Sequence, residues 1–70
     1  MKILIFKTNI DSKKHKIVIE DVLKQHKGIS KWSIDFEDKN NILRIDGYGI
    51  TAQKIIKTIN EAGFKCEEID

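Results

Sequence analysis

Two spacings of apolar residues alternate along this chain, and their order limits its fold more than any other feature. Ile3-Leu4-Ile5-Phe6 is a short, dense apolar run rich in β-branched residues, which predicts strand 1 over Lys2 to Thr8. Val18, Ile19, Val22 and Leu23 then recur at helical spacing and predict helix 1. Ser12 or Asp11 can cap its start, and Gly28 supplies a left-handed residue to stop it. Trp32, Ile34 and Phe36 alternate with Ser33, Asp35 and Glu37, so strand 2 has one buried and one wet face. After the polar turn Asp38-Lys39-Asn40-Asn41 comes strand 3, Ile42 to Asp46. Thr51 can cap helix 2, whose stripe is Ala52, Ile55, Ile56, Ile59 and Ala62, with Gly63 as its stop. Strand 4, Phe64 to Ile69, closes the series.

The order βαββαβ predicts an α+β, ferredoxin-like sandwich: a four-stranded sheet of order 4-1-3-2 with both helices on one face. Leu4, Phe6, Ile34, Phe36, Leu43 and Ile45 should point inward against the helices. Residues 1–70 read as a single domain, and a chain of this length buries only about 60% of its unfolded surface, so its core must be compact. The open face should carry Ile3, Ile5 and Ile42 as an apolar stripe, extended by Ile69. Read as a contact site, such a stripe predicts weak self-association as a homodimer, or partner docking, across that face; the alternative is that these isoleucines only reflect strand propensity.

Charge and cysteine content exclude several classes of function. A formal charge of +2, with acids and bases mixed along the chain, does not suit a protein that wraps nucleic acid. The same fold serves RNA-recognition domains, but strand 3 lacks the aromatics those domains stack on bases. A lone cysteine, Cys66, excludes an internal disulfide and any zinc site built on several thiolates. A small domain without disulfides points to the cytoplasm, and the N-terminal apolar run is too short for a signal peptide or a membrane span. No phosphate loop and no nucleophile–base pairing is visible, so no enzymatic activity is expected. Cys66 falls in phase with the inward face as an inert thiol, His26 as a partly buried residue at the end of helix 1, and Trp32 as a core or edge-strand aromatic.

Thr8 to His15 is the most informative segment for function. A strand-to-helix junction collects unpaired backbone N–H groups. Thr8-Asn9-Ile10 leads into helix 1, and Ile19-Glu20-Asp21-Val22-Leu23 lies within it. Gly28-Ile29, Trp32-Ser33-Ile34-Asp35-Phe36 and Glu61-Ala62-Gly63-Phe64 follow. Together these segments resemble the heavy-metal-associated domain family, which includes copper chaperones and N-terminal modules of metal-transporting ATPases. The resemblance covers essentially the whole chain. It implies the ferredoxin-like fold, a metal-trafficking role, and a metal-transporting ATPase or other protein as partner.

Members of that family hold a soft metal with Cys-x-x-Cys on this junction. Aligned on Ile19 to Leu23, the two cysteine positions are Ser12 and His15. Without thiolates the loop does not suit Cu(I). His15, Asp11 and Ser12 make a harder, weaker site, fit for Zn(II), Ni(II) or Cu(II). The leading expectation is therefore a non-enzymatic, heavy-metal-associated-like module with a degenerate metal loop and at most weak binding through His15. The alternative is a metal-free module in which Lys13, Lys14 and Lys16, at the helix N-terminus, hold an anion or an acidic protein surface.

Overall fold

The computed structural model describes residues 1–69. They form β1 (Lys2–Thr8), α1 (Lys13–Lys24), β2 (Ile29–Asp35), β3 (Ile42–Gly47), α2 (Ala52–Glu61) and β4 (Cys66–Glu68). The sheet runs β2-β3-β1-β4 with every pair antiparallel, which is the expected order read from the opposite edge. Leu4, Phe6, Leu43 and Ile45 meet Ile19, Leu23, Ile55 and Ile59 in one core, so both helices cover the same face. Ile34, Phe36 and Trp32 pack against that core but stay partly exposed, because β2 is an edge strand.

Both N-caps form as expected: Ser12 Oγ accepts from His15 N at 3.2 Å and Thr51 Oγ1 from Lys54 N at 3.3 Å. Gly63 ends α2 with φ +97°. Its N–H reaches Asn60 O and the Phe64 N–H reaches Ile59 O, a paired closure that satisfies two terminal carbonyls.

Three expectations need correction. Gly28 does not stop α1. The helix ends at Lys24, with Gln25 as a right-handed cap. Gly28, at φ +95°, instead turns the chain into β2, and a Cβ there would overlap the Tyr48 carbonyl. The Tyr48 N–H donates to Gly28 O at 2.9 Å across this close approach. Val18 is 44% exposed. The inward face of α1 runs through His15, Ile19, Val22 and Leu23, which places Val18 to one side. The open-face stripe is broken as well. Ile3 lies opposite Asp46 and Ile5 opposite Arg44, which leaves Ile42 on a diagonal. Arg44 Nε donates to Asp46 Oδ1 at 3.0 Å, and Asp46 is only 2% exposed beneath it. Ile69 does sit beside Ile5, whose carbonyl accepts its N–H at 2.9 Å.

Element bounds also shift slightly. β2 begins at Ile29 and stops before Phe36, and regular β4 is only three residues long. Ile10 and Ile50, which follow β1 and precede α2, are fully buried and were not expected in the core. No helix among the described residues is long and apolar enough to cross a membrane.

Candidate functional site

The β1–α1 junction is pinned from three sides before any functional group is placed on it. Thr8 Oγ1 donates to Asn41 O at 2.6 Å and accepts from Ile10 N at 3.2 Å. Asn9 Oδ1 accepts from Lys65 N at 2.7 Å, tying the loop to the start of β4. Between these two polar anchors and the helix, Ile10 is wholly buried. A segment held by hydrogen bonds at both ends and by a core isoleucine has little freedom to rearrange. The sequence reading missed Thr8, Asn9 and Phe64 as builders of this loop. The only signal was a polar pair set between a strand and a buried isoleucine.

Asp11 and His15 meet on this frame. Their i, i+4 spacing across the helix start brings Asp11 Oδ1 within 3.0 Å of His15 Nδ1. The contact is a close approach and not a hydrogen bond: Nδ1 is buried and has no hydrogen-bond partner among the described residues. The direction of approach is therefore wrong for an N–H donor, since the distance alone would suffice. Phe64 closes the other side, edge-to-face with the imidazole at a 5.0 Å centroid separation and 61° between planes. The side chains of His15 and Asp11 remain 40% and 66% exposed, so the pair is open to solvent on its outer side.

The other residues expected here are placed differently. Ser12 lies between them in sequence, but its hydroxyl is already engaged as the cap. Lys13, Lys14 and Lys16 are exposed, and no acidic residue occupies the first turn of α1. They add to the positive potential of the helix terminus. Among the described residues, no group of three histidine, cysteine or carboxylate side chains comes together.

Cys66 pairs with Thr8 across β1 and β4, close to the junction but outside the Asp11–His15 contact. Burial raises its thiol pKa to about 12. It borders a shallow groove of ≈ 380 Å³ with Lys7, Asn9 and Lys65. Because the thiolate is the reactive species, alkylation by iodoacetamide at pH 8 should run roughly a thousandfold slower than for a free thiol. A rate near that of free cysteine in the folded protein would show that Cys66 is not shielded in this way. His26 is partly buried as expected, with Nδ1 2.9 Å from Lys27 O.

Comparison with solved structures places this geometry. The yeast copper transporter domain CCC2A, solved in apo and Cu(I)-loaded states, superposes with a TM-score of 0.85 at 22% identity, over 100% of this chain and 97% of that one. The N-terminal domain of PacS from Synechocystis gives 0.84 at 11% identity, with both chains fully covered. The fold is that of the heavy-metal-associated domains. The N-terminal domain of ZntA, solved in its Zn(II) form, shares it with a TM-score of 0.80 at 15% identity, over 94% and 89% of the two chains. No family model and no curated protein sequence matches the chain. The resemblance seen in the sequence is borne out for the fold. On this scaffold Asp11 lies in the β1–α1 loop, Ser12 caps α1 and His15 is the third residue of the helix.

Proposed function

We propose that this protein is a non-enzymatic metal-binding module of the heavy-metal-associated type, whose loop takes a borderline divalent ion weakly through His15 and Asp11. The observation that carries this reading is the orphaned Nδ1 of His15 beside a carboxylate oxygen 3.0 Å away. Two ligands held ~2.1 Å from one ion at right angles stand roughly 3.0 Å apart, so the spacing is compatible with a shared ion of square-planar or octahedral geometry. Nitrogen and carboxylate oxygen favour Zn(II), Ni(II) or Cu(II) over Cu(I). Ser12 is a minor contributor, because its hydroxyl already serves the helix. With two strong protein donors, water or a partner completes the shell, and affinity stays low.

Titration with Zn(II), Cu(II) and Cu(I) while following the His15 ring resonances tests the proposal. Zn(II) should shift the His15 signals and Cu(II) should broaden them, while Cu(I) has little effect. His15→Ala should abolish the response and Asp11→Asn should weaken it. An unmoved His15 signal with every divalent ion sinks the metal reading.

That outcome would leave a second reading, for which there is a specific observation. Ile17 is 67% and Val18 44% exposed on α1, next to Lys13, Lys14 and Lys16. An apolar pair with a basic rim suits docking to an acidic protein surface. A metal-transporting ATPase is a partner of the right kind, since the similar HMA7 domain belongs to a P-type ATPase.

A further inference from the structure

We infer that the free edge of β2 docks a second copy of this chain, antiparallel, to make one continuous eight-stranded sheet. β2 is an outer strand of seven residues, and among the described residues its far edge has no neighbouring strand. Exposed edges of this kind are usually blunted by prolines, short length, bulges or charged side chains, and of these β2 carries Lys31 and the irregularity beside it. The opposite edge is managed in that way: β4 has three regular residues, two of them Glu67 and Glu68. β2 has no proline, and its single irregularity lies between Ile29 and Lys31. Beyond that shift, Lys31 to Asp35 is regular and in register with β3.

Those five residues, Lys-Trp-Ser-Ile-Asp, complement themselves when reversed. With Ser33 on a two-fold axis, Lys31 faces the partner's Asp35 and Asp35 faces the partner's Lys31. Trp32 meets the partner's Ile34 on the helix-bearing face, and the reciprocal pair forms too. Side chains of directly opposed residues share a face, so the ionic pairs lie on the open face and the apolar pairs lie beneath the helices. Lys31 and Asp35 are exposed and free to reach across. Asp35 Oδ1 accepts from Glu37 N at 3.0 Å, and its second oxygen is left for the lysine. Trp32 and Ile34, which are only partly buried in one copy, gain the cover that an edge strand lacks. A two-fold contact must pair a surface with itself, and this register does so with opposite charges. Shifting the axis to Trp32 would set Lys31 against Ser33 and Ile29 against Asp35, which forfeits both ionic pairs. Pairing over five residues buries little area, so the dimer is weak and salt-sensitive.

The test uses the metal-free protein, so its result is independent of the metal proposal. Sedimentation equilibrium up to roughly 1 mM should show a monomer–dimer equilibrium for the parent chain. Lys31→Asp and Asp35→Lys each set like charges opposite one another and should weaken self-association roughly tenfold or more. An equimolar mixture of the two variants restores both ionic pairs and should form a heterodimer at least as tight as the parent dimer. Hydrogen exchange of the parent gives a second measure that needs no variant. Amides of Lys31 to Asp35 on the outer edge should gain protection as concentration rises, while those of β4 do not. A parent that stays monomeric, a dimer indifferent to both variants, or a mixture that fails to reassociate overturns the inference. So does a dimer lost on Ile5→Lys but not on either β2 variant, which would place the contact on the open face.

Discussion

A chain carrying Ser12→Cys and His15→Cys together binds Cu(I) more tightly than the parent by several orders of magnitude. The two positions are the cap and the third residue of α1, already joined by the bond from His15 N to Ser12 Oγ. Both side chains therefore start from the same end of one helix, on a loop fixed by Thr8, Asn9 and Ile10. Unpaired N–H groups of the helix and the exposed Lys13, Lys14 and Lys16 favour thiolate over thiol at this point. Two thiolates are the soft, anionic pair that Cu(I) requires, and neither serine nor imidazole with carboxylate replaces them. Losing the serine cap removes about 1 kcal/mol of stability, which the fold should tolerate. Competition against a chromogenic Cu(I) chelator measures the gain, and each single cysteine variant should recover only a small part of it. If the double variant folds but competes no better than the parent, Ser12 and His15 do not occupy the ligand positions.

The second large effect is on stability. Gly28→Ala should lower the melting temperature by about 12 °C or more, or leave the chain unfolded. At φ +95° an alanine is strained by about 1–3 kcal/mol. Its Cβ would also overlap the Tyr48 carbonyl, which is backbone and cannot rotate away. Relief requires separating the start of β2 from the end of β3, which strains the bond from Tyr48 N to Gly28 O and moves Ile50 in the core. A loss near 3 kcal/mol is a large share of the stability of a domain this small, and each kcal/mol shifts its midpoint by about 4–8 °C. Gly63→Ala is the control. Its φ is also positive, at +97°, but nothing lies within 4 Å of the added carbon, so its penalty should be the strain alone. Equal melting points for the two variants would show that the close approach at Gly28 contributes nothing.

Periodicity made the elements legible, because β2, β3 and the helical stripes each have one buried face that the side-chain spacing reports directly, and the βαββαβ order with right-handed crossovers then left few strand orders. The caps at Ser12 and Thr51 and the stop at Gly63 were legible for a similar reason: each is a local hydrogen-bonding arrangement set by a few adjacent residues. The purpose of Gly28 was not legible. A glycine after a helical stripe looks like a stop, and only the packed sheet shows Tyr48 lying against it. Likewise, nothing in the order of residues sets Arg44 and Asp46 opposite Ile5 and Ile3, because cross-strand register depends on how two distant strands pair.

The candidate site divides along the same line. Asp11, Ser12 and His15 could be named from the sequence, since the family resemblance aligns Ser12 and His15 with the two cysteine positions and Asp11 adjoins them. Phe64 against the imidazole, Asn9 bound to Lys65, and the unbonded Nδ1 came only from the tertiary structure. The first two join residues some fifty positions apart, and a contact of that kind exists only once the core has brought β4 beside β1. The sequence by itself determined which elements form and which residues cap them, because those are short-range choices of backbone and side chain. Tertiary packing alone decided which of those side chains meet and which polar atoms are left without partners.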